Sequence, residues 1–114
     1  MAIGSNKRLL LELDKYRNDV NKRIINSCLD DLDLDKLTPI VELVAKSRAA
    51  YVLELSKIAE NPTDSGPSTE QIDSLRARRL VFSELVEATN ALEVIIERGY
   101  VGVVESDSSS EAEA

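Results

Sequence analysis

Several residue types that proteins use for chemistry are absent or scarce in this chain. It has no histidine, which removes the commonest general base and the commonest metal ligand. Its single cysteine, Cys28, excludes an intramolecular disulfide and a cysteine-based zinc site. It has only four glycines, and neither GxxxxGKS/T nor GxGxxG occurs, so no phosphate-binding loop is predicted. We therefore expect no catalytic residues, no cofactor and no metal centre.

Aromatic residues and long apolar runs are also scarce. Aromatics make up 4% of the 114 residues against 43% hydrophobic residues overall, so the core must be aliphatic. The longest apolar runs are only a few residues, too short for a membrane-spanning helix. Glu12 and Asp14 interrupt the region where a signal peptide would carry its apolar segment. These features predict a cytoplasmic or other intracellular protein without membrane contact.

Negative charge predominates and is unevenly distributed. The formal net charge is −7, and residues 105–114 carry four acids and no base. Because neutralising phosphates supplies most non-specific affinity for nucleic acids, such a chain is a poor general nucleic-acid binder. Residues 105–114 contain no apolar residue larger than alanine and are predicted to form a disordered, acidic, serine-rich tail.

Hydrophobic periodicity predicts an all-α fold, an antiparallel bundle of three long helices within one domain over residues 1–104. The predicted helices cover about residues 6–29, 39–60 and 69–98. The first has an apolar stripe with the spacing of one helix face. That stripe comprises Leu9, Leu13, Tyr16, Val20, Ile24 and Ser27.

Capping residues mark the predicted helix ends. Ser5 or Asn6 can cap the first helix, and the pair Thr38-Pro39 indicates the start of the second. Ser68 and Gln71 have the spacing of a capping box before the third helix, and Gly99 is placed to end it. Residues 100–104 are β-prone, and we expect them to pack on the helices or to pair with a second copy.

The third predicted helix has two apolar arcs where a three-helix bundle needs one. The first arc comprises Leu75, Phe82, Leu85, Val86, Leu92 and Ile96. The second arc comprises Ala77, Val81, Ala88, Ala91 and Ile95, with Leu80 at its edge. The second arc predicts a further partner, most simply a second copy, with Arg78 pairing Glu93 to set the register. The alternative is that the first two helices of the same chain cover both arcs.

Arg48 lies in the apolar stripe of the second predicted helix. A buried arginine needs an acceptor, so we expect an Arg–Glu pair or an aliphatic stem with an exposed guanidinium. An anion-binding pocket is the alternative.

The acidic connection before the second helix has a spacing that resembles a calcium loop. Asp31, Asp33, Asp35 and Glu42 occupy positions 1, 3, 5 and 12 of that template. Lys36 stands where the loop needs glycine, and Thr38-Pro39 favours a helix start inside it. The preferred interpretation is an acidic connection near the positive end of the next helix.

These observations predict a non-catalytic helical interaction or assembly protein, a subunit or adaptor that binds protein partners and forms a homodimer. The alternative is a nucleic-acid-associated regulatory protein. Its contacts would be Arg8, Lys15 and Lys22, opposite the apolar stripe of the first helix, with Arg23 beside them, although Glu12 and Asp19 interleave. A third interpretation is an acidic decoy that occupies a basic surface on a partner.

Overall fold

A computed structural model describes residues 2–105, with side chains from residue 4 onward. It contains α1 (Ala2–Cys28), α2 (Leu34–Glu60) and α3 (Thr69–Glu97). Within residues 2–105 no strand forms, although Leu32 and Val103 make an isolated parallel bridge. The predicted all-α class is therefore confirmed. The predicted disordered tail lies outside the described residues, apart from Glu105.

The chain divides into two compact units. The terminal unit comprises Met1–Leu34 and Glu93–Ala114, and the hairpin unit comprises Asp35–Leu92. The terminal unit thus contains α1 and the last turn of α3, and the hairpin unit contains nearly all of α2 and most of α3. The single three-helix bundle and the homodimer stay predictions.

Within the hairpin unit, α2 and α3 pack antiparallel. The ring centroids of Tyr51 and Phe82 are 6.0 Å apart, and Glu54 contacts Arg78. Residues closer to the C-terminal end of α2 therefore contact residues closer to the N-terminal end of α3. The first arc of α3, predicted to pack within the chain, is half-buried along its length.

The second helix begins five residues earlier than predicted, at Leu34 instead of Pro39. Asp33 directly precedes it and is a favourable residue type for the N-cap position. Pro39 has no N–H to donate to the carbonyl of Asp35, one turn before it. The Thr38 hydroxyl donates a 3.3 Å hydrogen bond to that carbonyl, which replaces the missing bond and lets the helix continue through the proline.

The first helix also begins earlier than predicted. It starts at Ala2, so Ser5 and Asn6 lie inside α1 and do not cap it. Gly4 is likewise helical, because a glycine inside a helix costs only about 1 kcal/mol and does not stop it.

The face of α1 that packs differs from the predicted apolar stripe. Leu9 and Tyr16 are 63% and 65% exposed, and Leu13, Ile24 and Ser27 are exposed as well. Of the predicted stripe only Val20 is half-buried. The other half-buried side chains of α1 are those of Asn18, Asn21 and Ile25.

The core of the terminal unit forms around residues that follow the helices. Leu32, Tyr100 and Val101 are buried. The Leu32 N–H donates to the Gly102 carbonyl at 2.8 Å, and the Val104 N–H donates to the Leu32 carbonyl at 2.9 Å. Of the two predicted roles for residues 100–104, packing within the chain is the one observed.

The ends of α3 are capped as predicted. The Gln71 N–H donates to Ser68 Oγ at 3.1 Å, and the Ser68 N–H donates to Gln71 Oε1 at 2.7 Å, which completes a capping box. At the other end, Gly99 has φ of 69°. Its N–H donates to Ile96 and that of Tyr100 to Ile95, the two bonds of a Schellman motif.

Candidate interaction surfaces

The second arc of α3 is largely exposed. Leu80 and Val81 are 60% and 52% exposed. The three alanines of the arc, Ala77, Ala88 and Ala91, are exposed as well, whereas Ile95 is half-buried. Because the first arc is half-buried, α3 uses one side for packing within the chain and presents the other side to solvent.

Arg78 makes its ion pair with Glu54 and not with Glu93. Its Nε lies 3.6 Å from Glu54 Oε1, and the two side chains are 54% and 16% exposed respectively. Arg78 and Glu93 are 15 residues apart on one helix, about 22 Å along its axis, so they cannot pair within one chain. Arg78 therefore has an acidic partner on α2 within the chain. Its pairing with Glu93 of a second copy stays a prediction.

Arg48 stacks on an aromatic ring. Its guanidinium carbon lies 5.2 Å from the centroid of Phe82, within the range of a cation–π interaction. The side chain is exposed, as expected for an aliphatic stem with a solvated head and not for a buried anion pocket. The sequence places Arg48 in the apolar stripe of α2 and Phe82 in the first arc of α3. It did not predict that these two side chains are in contact.

Two open pockets are lined by residues of both α2 and α3. One pocket is lined by Tyr51, Val52, Leu55 and Leu75. A second pocket is lined by Tyr51, Ile72, Leu75, Arg76 and Arg79. Tyr51 and Leu75 line both pockets, and we call the two pockets together the hairpin groove. Sequence analysis did not predict this groove, since it requires the register of α2 against α3.

The predicted basic face of α1 is accessible but mixed in charge. Its four bases, Arg8, Lys15, Lys22 and Arg23, are all exposed. Glu12 and Asp19 are exposed between them on the same helix. The arrangement thus provides no uniform row of positive charge for a phosphate backbone.

The acidic connection does not form a calcium loop. Asp35 and Glu42 both lie in α2, seven residues apart and hence about 10 Å along its axis, so the twelve-residue loop cannot form. In the described part of the chain, no group of three or more acidic or cysteine side chains could hold a metal ion.

Over residues 2–105, none of the three helices combines the length and apolarity needed to cross a membrane. No protein family, curated protein or solved structure matches this chain.

Proposed function

We propose that the protein is a non-catalytic helical assembly protein, a subunit or adaptor that self-associates through the second arc of α3. This proposal depends on the exposed apolar row that includes Leu80, Val81 and Ala88, on a helix whose first arc already packs within the chain. Burying apolar surface is favourable by about 25 cal/mol per Å² removed from water. Alanines at three of its positions let a second helix approach closely.

The predicted pairing of Arg78 with Glu93 between two copies does not support this interface. At 100° per residue, the two residues lie about 100° and 160° around α3 from the centre of the second arc. An interface centred on that arc therefore leaves Glu93 on the far side of the helix.

The test is the mass in solution of the wild type and of Ala88→Glu. A self-associating wild type sediments at a multiple of 12.6 kDa. Ala88→Glu places a charge in the apolar row and is expected to sediment as a single chain with unchanged helical circular dichroism. Asn90→Glu is the matched control, because it adds the same charge to an exposed polar position of α3.

Two results would reject the proposal. One is a wild type that sediments as a single chain across the accessible concentration range. The other is an Ala88→Glu variant with the mass of the wild type, since a buried carboxylate in the interface is strongly unfavourable.

Nucleic-acid association remains the alternative function, because the four bases of α1 named above are exposed. DNA and RNA titrations at low and moderate salt test it. Binding that disappears when these four bases are changed to glutamine would favour this alternative over assembly.

A further inference from the structure

The segment after α3 has one side on which its backbone is not paired. Leu32 and Val103 form a parallel bridge, in which the hydrogen bonds of Leu32 go to Gly102 and Val104. In an extended chain, successive residues direct their backbone N–H and C=O groups to opposite sides. Because its two neighbours bond towards Leu32, Val103 directs its own N–H and C=O away from Leu32.

These backbone groups of Val103 are available to a further strand. Within residues 2–105, neither its N–H nor its C=O has a hydrogen-bond partner. Val103 is 62% exposed and Val104 is 46% exposed. The same alternation directs the N–H of Glu105, another exposed residue, to the side of the free Val103 groups. We call these three groups, two of Val103 and one of Glu105, the Val103 edge.

The chemistry of the Val103 edge selects an extended peptide as its ligand. Unpaired backbone donors and acceptors along an exposed strand are satisfied by the backbone of a further strand. A helix cannot satisfy them, because its own backbone groups are bonded internally except at its ends. The exposed valine side chains add apolar contact to the backbone hydrogen bonds.

The surroundings of the Val103 edge are acidic. Residues 29–34 and 99–105, which contain the two sides of the bridge, carry four acids and no base: Asp30, Asp31, Asp33 and Glu105. The Asp31 carboxylate lies against Gly102, in the place that a Cβ at that position would occupy. Residues 106–114 continue the chain with three more acids and no base. Charge complementarity therefore favours a strand that carries lysine or arginine.

A second copy of this chain lacks that complementarity. If its own Val103 edge paired with that of the first copy, the same four acids would approach from both sides and no base would compensate them. Like charges brought together at an interface are unfavourable. The charge of the segment thus favours a different protein as the source of the strand.

We propose that the Val103 edge binds one extended, basic segment of a partner protein as an added β-strand. The backbone of that segment donates to the Val103 carbonyl and accepts from the N–H groups of Val103 and Glu105. Its lysine or arginine side chains lie near the acids named above. This inference goes beyond the proposed self-association and does not depend on it, because the second arc of α3 is a different segment of the chain.

The test is binding of a short, capped, fluorescent peptide of alternating valine and lysine to the full chain, followed by anisotropy. Saturable binding is expected. One comparison peptide has glutamate in place of lysine. Another is N-methylated at every residue, so it keeps the charge and side chains but cannot donate backbone hydrogen bonds. Each is expected to bind about tenfold more weakly or less, since each lacks one of the two required interactions.

Val103→Pro tests the edge from the side of the protein. It removes an N–H that no bond within the described chain uses, and it is expected to weaken binding of the lysine peptide about tenfold. Val103→Ala is the matched control, because it also loses the valine side chain but keeps the N–H, and it should bind more tightly than the proline variant. Circular dichroism verifies the fold. If the proline variant loses helicity, the N-methylated peptide tests the same hydrogen bonds on the wild-type protein.

A pair of neutral substitutions tests the contribution of charge. Asp30→Asn with Glu105→Gln is expected to weaken binding of the lysine peptide and to reduce its dependence on salt. Glu60→Gln with Asp64→Asn is the control, since it removes two exposed acids from the hairpin unit. This control should bind like the wild type.

Four results would overturn the inference. They are the absence of saturable binding, equal binding of the glutamate or N-methylated peptide, equal binding by Val103→Pro and Val103→Ala, and a Val103→Pro variant that converts a self-associated wild type to single chains. The last would assign the edge to a second copy. Ala88→Glu should bind the lysine peptide like the wild type, so failure of peptide binding and failure of self-association are distinguishable.

Discussion

The hydroxyl of Tyr100 donates a 3.1 Å hydrogen bond to Oδ1 of Asn18, a residue 82 positions earlier in the chain. Tyr100 is buried and Asn18 is half-buried, so the bond forms where water has little access. It joins the segment after α3 to the middle of α1. The contact lies on the side of α1 that packs, which is not its most apolar side.

Tyr100→Phe is expected to lower the free energy of unfolding by about 1 kcal/mol, because Asn18 loses its donor while the ring remains. Urea denaturation followed by circular dichroism measures the change. Tyr16→Phe removes the same hydroxyl from an exposed ring and should have almost no effect. Equal effects of the two variants would show that the bond to Asn18 contributes nothing.

Gly99→Ala is expected to destabilise the protein by about 1–2 kcal/mol, since φ of 69° is strained for a residue with a Cβ. Thermal denaturation measures the loss. Gly4→Ala is a control of opposite sign, because Gly4 is helical and open space surrounds the position of its missing Cβ. A neutral Gly99→Ala would mean that the Schellman motif is not maintained in solution.

Ser68→Ala removes the side-chain acceptor of the Gln71 N–H and is expected to cost about 1 kcal/mol. Ser65→Ala, in the same connection before α3, is the control and should change stability little. Chemical denaturation compares the two. A loss shared equally by both variants would contradict a specific role for the capping box.

Arg48→Gln is expected to destabilise the hairpin unit by about 0.5–1 kcal/mol, because an exposed cation–π contact with Phe82 is lost. Arg48→Lys retains a positive charge and should lose less. Melting temperatures of the three proteins measure the order. A glutamine variant as stable as the lysine variant would show that the contact is not energetically significant.

The helices could be read from the sequence largely because their signals are local. The capping box at Ser68 and the C-terminal position of Gly99 each depend on residues within one or two turns. The start of α2 was predicted wrongly for an equally local reason. Thr38 and Pro39 can begin a helix, but the Thr38 hydroxyl bond to Asp35 also allows them to lie within one.

The partners of the charged residues could not be read in the same way. Arg48 was recognised as unusual and Arg78 was assigned to Glu93, but their partners, Phe82 and Glu54, lie on the other helix of the hairpin. Helical periodicity indicates which residues share a face of one helix. It does not indicate the register of that helix against its neighbour. The hairpin groove was missed for the same reason.

Sequence alone determined the helical class, the two apolar arcs of α3 and most helix ends, because backbone hydrogen bonds and caps in a helix connect residues close in the chain. Only the tertiary structure decided which side of α1 packs, that residues 100–104 pair with Leu32, and which acid Arg78 contacts. These outcomes depend on segments far apart in sequence, whose packing competes with local amphipathicity and overrides it at α1.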